Sequence, residues 1–183
     1  MDRVLVEQAR TGDRDAFASL VHQVSDSLFA VAFRILRDTG LAEDALQNAL
    51  VTAWRQLPHL RDSGRFEAWI HRILVHACYD ESRSNRRFAA NFRVLDAGNL
   101  SSPDTSRALA ERDELERAFR KVPLDQRAVF VLHHYVGLPL VEIAETLGIP
   151  AGTARSRLHY ATRSLRSAMT AGAALPIEEG RLA

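Results

Sequence analysis

Apolar residues recur at steps of three and four along most of the chain, the spacing that lines one face of an α-helix. Phe17, Leu20, Val21, Val24, Leu28, Val31 and Ile35 form the first stripe. It predicts a long helix starting after Asp13, a side chain suited to capping the free amides of a first turn. "RDTG" breaks the pattern. A second helix is expected from about Leu41 to Leu57, with Glu43 and Asp44 in its first turn, where the helix dipole favours acids. Pro58 ends it, and "PHLRDSGR" reads as a polar loop. A third helix follows from about Arg65 to Arg87, with Phe66, Ile70, Ile73 and Ala77 on its apolar face.

Periodicity fails from Ala89 to Asp104, where "DAGNLSSPD" has the composition of a linker. Helical spacing resumes near Thr105 and stops before Pro123, because the residue preceding a proline disfavours helix. "AVFVLHHYV" could pass for a strand. Val129, Leu132 and Val136 nevertheless fit a helical face, and no pairing strand is nearby, so a helix is predicted over Leu124 to Val136. The final dozen residues read as a frayed tail. The expectation is an all-α protein of two small helical domains, residues 1–90 and 109–170, joined by a flexible linker at 91–108 and followed by a tail at 171–183.

Of 183 residues, 46% are hydrophobic and 26% charged, the balance of a soluble globular chain. The net charge is +1, so any affinity for nucleic acid must come from local patches. The lone cysteine, Cys78, excludes an internal disulfide framework and any CxxC motif. Asp2 and Glu7 interrupt the start where a signal peptide would need an apolar core, and no apolar run approaches membrane-spanning length. A cytoplasmic protein without membrane insertion is expected.

One such patch lies in "VEIAETLGIPAGTARSRLHYATRSLR". No acid occurs between Glu145 and Glu178, yet Arg155, Arg157, Arg163 and Arg166 fall there. A short helix from about Leu138 to Leu147 is predicted to end at Gly148, with Pro150 opening the next. That next helix turns Ala154, Leu158, Ala161, Leu165 and Ala168 inward and Arg155, His159, Arg163 and Arg166 outward. Two helices joined by a tight glycine turn describe a helix-turn-helix, whose second helix enters the major groove N-terminal end first. Arg155 and Ser156 occupy that end. Arg matches the paired acceptors of guanine, whereas Arg163 and Arg166 are placed to meet phosphates. A solvated amphipathic helix would carry the same arginines, but the acid-free run and the "LGIP" turn favour DNA.

The third helix carries Trp69, Arg72, His76, Tyr79 and Arg83 at three- and four-residue steps. Aromatic rings interleaved with cations suit single-stranded or unstacked bases, and "RDSGR" before them could hold an extruded base. The competing assignment puts Trp69 in the core and leaves the basic helix end in solvent. An enzyme finds no support. His133 and His134 are adjacent and diverge by about 100° on a helix, His71 and His76 diverge as well, and no nucleophile–base or carboxylate constellation stands out. No cofactor or metal is implied. A conventional helix-turn-helix regulator with a helical dimerisation domain is the alternative, but it gives the third helix and "AEDALQNALVTAW" no task.

At this point the chain resembles the extracytoplasmic-function group of bacterial RNA polymerase sigma factors over almost its full length. "LAEDALQNALVTAWRQL" is similar to that group's polymerase-binding helix, "FEAWIHRI" to its F-x-x-W-L-x-R-I run, and "VPLDQRAVFVLHHYVGLPLVEIAETLGIPAGTARSRLHYA" to its −35-reading domain. The resemblance implies a region 2 domain at 1–90 and a region 4 domain at 109–170. It implies polymerase binding by Asp44, Gln47, Asn48 and Trp54. Arg61, Asp62, Ser63 and Arg65 then fall in the loop that captures a flipped −10 base, beside Trp69, Arg72, His76 and Arg83. Thr153, Arg155, Ser156, Arg157, His159, Tyr160 and Arg163 fit the −35 recognition helix. Four positions depart from the family pattern: Asn48 for Glu, Leu50 for Phe, His76 for Asn and Tyr160 for Arg. Core RNA polymerase, promoter DNA (duplex at −35, single-stranded at −10) and an anti-sigma factor are the implied partners.

Overall fold

The computed structural model describes residues 2–92 and 117–173, and every regular element among them is helical. The first domain has four helices: α1 (Arg3–Arg10), α2 (Arg14–Leu36), α3 (Thr39–Gln56) and α4 (Phe66–Phe92). Two single 3-10 turns, Leu57–His59 and Ser63–Arg65, connect α3 to α4. After a helical segment at 117–121, the second domain continues with α5 (Leu124–His134), α6 (Leu140–Leu147) and α7 (Ala151–Ala173). Residues 93–108 of the expected linker, most of the helix expected from Thr105, and residues 174–183 of the expected tail lie outside the described residues, whereas α4 continues through 91–92 and α7 through 171–173, past the bounds expected for the two domains.

Local chemistry sets the helix ends. Asp13 caps α2 as expected, accepting from the amides of Asp15 and Ala16. Asp38 caps α3 by accepting from Leu41 N–H, so that helix begins at Thr39, ahead of the expected start. Glu43 and Asp44 consequently fall in its second turn, where the dipole acts on them less than expected. At the end of α6, Gly148 adopts φ +64°, the left-handed conformation that glycine enters without a Cβ clash, and its N–H reaches back to the carbonyls of Ala144 and Glu145. The segment that could pass for a strand is α5.

Alanines at 42, 45, 49 and 53 form the fully buried stripe of α3 and let it lie close against α2 and α4. α2, at 23 residues and mean hydropathy 1.3, is long and apolar enough to meet a membrane-span criterion, contrary to the expectation that no run approaches one. Its apolar character serves the core instead: Leu20, Val24, Leu28, Val31 and Ile35 are buried among neighbouring helices. α1 is absent from the periodicity reading, yet Val6 and Ala9 are buried in it.

The two domains touch. α2 packs against α5 and α4 against α6, so Val129, Leu132, Ile143 and Leu147 join the core cluster of the first domain. A smaller cluster of Ala118, Val122, Ala161 and Leu165 fastens α7 to the 117–121 segment.

Candidate nucleic-acid interface

On α3, Asp44, Gln47 and Asn48 are exposed along one stripe that continues to Val51, which is 45% exposed. Trp54 is not part of it. Its ring is half-buried, 4.8 Å from that of Phe17, and ties α3 to α2. Asn48 has a partner across the helix pair: its Nδ2 donates to Glu81 Oε1 at 2.7 Å. A glutamate at position 48, as the family pattern has it, would set two carboxylates against each other there.

The "RDSGR" loop exposes Arg61, Asp62 and Arg65 and leaves Ser63 half-buried. Asp62 shapes it by accepting from Gly64 N–H at 2.8 Å. A Cβ on Gly64 would lie 2.9 Å from Arg3 Nη2, so α1 lies close against the loop and the Arg3 side chain would have to shift to admit a larger residue there. The unpredicted first helix thus backs the loop.

Trp69 is half-buried, its ring centroid 5.7 Å from that of Phe66, and it lines two cavities. The first, of about 510 Å³, is a groove between α3 and α4 bordered by Asn48, Gln56, Trp69, Arg72, His76 and Glu81. Arg72 and His76 are exposed beside it, so an aromatic face, a cation and amides meet in one groove, a combination suited to an unstacked base and its phosphate. Arg83 lies further along α4, 3.4 Å from Asp80 Oδ1, outside the groove lining. Tyr79 turns away as well. Its buried hydroxyl lacks a hydrogen-bond partner, and it lies close enough to Arg157 and Asp125 for their charges to act on it. His71 stays below its ordinary imidazole range through burial, with Nδ1 2.7 Å from the carbonyl oxygen of Glu67.

In the helix-turn-helix, Ala154 and Ala161 are fully buried, Leu165 is buried and Leu158 half-buried, while the side chain of Ala168 lies outside those described. Arg155, Ser156, His159, Tyr160 and Arg163 point outward, with Thr153 half-buried at the first turn. Arg157 behaves differently: its Nε lies 3.0 Å from Asp125 Oδ2 on α5, and its side chain is 26% exposed. Arg155, Ser156, His159, Tyr160 and Arg163 therefore form the displayed surface, and Arg157 holds α7 to the helix beneath it.

Sequence reasoning missed Arg3, Gln56, Glu81 and Asp125. Each acts across helices, and no local spacing signals such a contact. Among the described residues, no three His, Cys, Asp or Glu side chains gather as a metal site. His133 Nδ1 lies 3.0 Å from the carbonyl oxygen of Leu138, and the His134 ring packs on Phe130.

Comparison with known proteins identifies both domains. Residues 20–88 match the Sigma-70 region 2 family and residues 112–165 the Sigma-70, region 4 family. ECF RNA polymerase sigma factor SigL of Mycobacterium tuberculosis is 32% identical over 163 residues, covering 85% of this chain and 92% of SigL. SigW of Bacillus subtilis is 27% identical over 88% of this chain and 92% of its own. Among solved structures, CnrH in complex with the cytosolic domain of CnrY superposes with TM-score 0.68 at 26% identity, over 93% of this chain and 97% of that one. RpoE of Bartonella quintana, solved with the anti-sigma factor NepR, shares the fold at TM-score 0.68 and 21% identity, over 84% of this chain and 96% of that one. With regions 2 and 4 matched in order and a relative of this identity spanning most of the sequence, the chain belongs to the extracytoplasmic-function sigma factors of the sigma-70 family.

Proposed function

We propose that this chain is an alternative sigma factor that joins core RNA polymerase through the exposed stripe of α3 and directs initiation at its own promoters. Asp44, Gln47 and Asn48 make the polar part of that contact, and Val51 supplies an apolar centre. The loop from Arg61 to Arg65, with Trp69, Arg72 and His76, takes the displaced strand of the −10 element. Arg155, Ser156, His159, Tyr160 and Arg163 face the −35 duplex. The chain acts in the cytoplasm, without catalysis of its own, and an anti-sigma factor restrains it.

The observation that carries this reading is the pairing, in one chain, of a helix-turn-helix with an aromatic–arginine groove. A dimeric regulator has no use for the groove, and a region 2 match stands where its dimerisation domain would be. Transcription in vitro with bacterial core polymerase and a promoter library tests the proposal. The wild-type chain should give promoter-dependent transcripts. Asp44→Arg should abolish holoenzyme assembly while leaving the folded chain intact, because the side chain is exposed. His76→Ala should change preference at one −10 base. A folded chain that assembles with no core polymerase and supports no transcript would refute it.

A further inference from the structure

The helix that local periodicity overlooked lies against the loop assigned to the −10 strand. α1 precedes the region 2 match, which begins at residue 20, so that match gives it no role. Between α1 and the loop runs a shallow groove of about 440 Å³, lined by Arg3, Val4, Glu7, Gln8, Thr11 and Ser63. Ser63 belongs to the loop as well, so the groove begins where the loop's own surface ends. Over Gly64, Arg3 Cζ and Asp62 Oδ1 lie 3.1 and 3.0 Å from one point, the place a Cβ would take. The Arg3 guanidinium therefore rests on the loop backbone, at the residue next to Arg65.

Three carboxylates belong to the same region, and each has a partner of its own. Asp2 Oδ1 accepts from Val4 N–H at 2.9 Å and caps α1. Both Glu7 oxygens accept from Arg10 Nε at 3.0 Å. Asp62 Oδ1 accepts from Gly64 N–H at 2.8 Å. Arg3 is exposed and makes no hydrogen bond or ion pair among the described residues. One cation is thus left over at the edge of a loop that already displays Arg61 and Arg65.

The lining decides what the groove can take. None of its six residues is aromatic, so it offers no platform on which a base could stack. Val4, 66% exposed, is its one apolar residue, too little for the apolar centre of a protein interface. Neutral polar groups beside a single cation suit a sugar–phosphate backbone, which such groups position without reading its sequence.

We propose that the groove between α1 and the loop is a further binding site for promoter DNA: Arg3 holds a phosphate of the displaced strand next to the base taken by the loop, and Gln8, Thr11 and Ser63 line the path of its backbone. The inference rests on the assignment of the −10 strand to the loop given above.

Forked promoter DNA tests it, bound to the holoenzyme and carrying a nested set of non-template strands that stop at the −10 element or run a few nucleotides past it on either side. Wild type should gain affinity when the strand is extended on one of the two sides. Arg3→Ala should lose about two- to fivefold of that gain, the worth of one exposed ion pair, and keep the wild-type affinity for the shortest strand. Its salt slope on the extended strand should fall by about 0.7, the share of one phosphate in single-stranded DNA. Arg3→Lys should restore most of both. The melting temperature of Arg3→Ala should stay at the wild-type value, because the side chain is exposed. An Arg3→Ala chain that weakens short and extended strands equally acts only through the loop and overturns the inference. So does one that weakens assembly with core polymerase in the absence of DNA, which would make the groove a protein contact. Arg61→Ala and Arg65→Ala separate the two readings. If they weaken strand binding and Arg3→Ala does not, only the groove falls. If neither they nor Arg3→Ala change the affinity for any strand, the loop assignment falls and takes the inference with it.

Discussion

Arg157 Nε lies 3.0 Å from Asp125 Oδ2, so one arginine of the recognition helix is bound to the helix beneath it while its neighbours face outward. The pair fixes the roll of α7, and with it which side chains can reach a groove. Arg157→Ala and Asp125→Ala should each lower the melting temperature. Their coupling in a double-mutant cycle should stay below about 1 kcal/mol, because the pair is partly exposed. Neither change should single out one −35 base. If Arg157→Ala altered preference at one −35 position without loss of stability, Arg157 would belong with the displayed residues.

Asn48 and Glu81 make a second such pair, between α3 and α4. Restoring the family's residue by Asn48→Glu should destabilise the first domain by about 1 kcal/mol, since like charges replace a hydrogen bond. Asn48→Glu with Glu81→Gln should recover most of it. Thermal melts of the three variants measure this. An Asn48→Glu chain as stable as wild type would mean that the bond contributes nothing.

Cys78 and Tyr79, adjacent on α4, should make the fold sensitive to alkali. Burial pushes the Cys78 thiol from 9.0 up to about 12 and, as the largest cause, raises the Tyr79 phenol from 10.0 to about 12. Both groups stay protonated in the folded chain at pH values where the unfolded chain has released its protons. The unfolded state then binds fewer protons, so stability is intact below pH 9 and falls as pH rises from there towards 12, by up to about 1.4 kcal/mol per pH unit for each group. Denaturant unfolding at pH 8 and pH 10.5 should show the drop. Native Cys78 should resist iodoacetamide at pH 8 and react once unfolded, which argues against a thiol switch at this position.

What the sequence disclosed follows from the range of each interaction. Helix placement depends on local periodicity and caps, and Asp13, Gly148 and the alternation of Ala154, Leu158, Ala161 and Leu165 settled it correctly. Boundaries erred where a cap was overlooked, as at Asp38. α1 escaped notice because only Val6 and Ala9 of its eight residues are buried, too few to mark a period. The exposed faces that carry most of the candidate residues were legible as helical stripes. Trp54 and Arg157 were not separable from their displayed neighbours, because Phe17 and Asp125, which claim them, are distant in sequence. The contact between Arg65 and Glu145, 80 residues apart, left no local trace at all.

The displayed face of α7 yields the sharpest division of labour. Arg155 stands in the first turns of the helix, the end that reaches deepest into the major groove, and nothing in its own domain forms an ion pair with it among the described residues. Arg163 stands two turns later on the same face, where the helix leaves the groove. A bidentate arginine–guanine contact discriminates between bases by about 1–3 kcal/mol, so Arg155→Ala should flatten preference at one −35 position. Arg163→Ala should weaken all −35 variants alike and reduce the salt slope of binding by about one unit, the signature of a lost phosphate contact. The measurement belongs in the holoenzyme, with promoter variants titrated at several salt concentrations. Uniform loss from Arg155→Ala together with a changed base preference from Arg163→Ala would mean that the helix enters the groove the other way round.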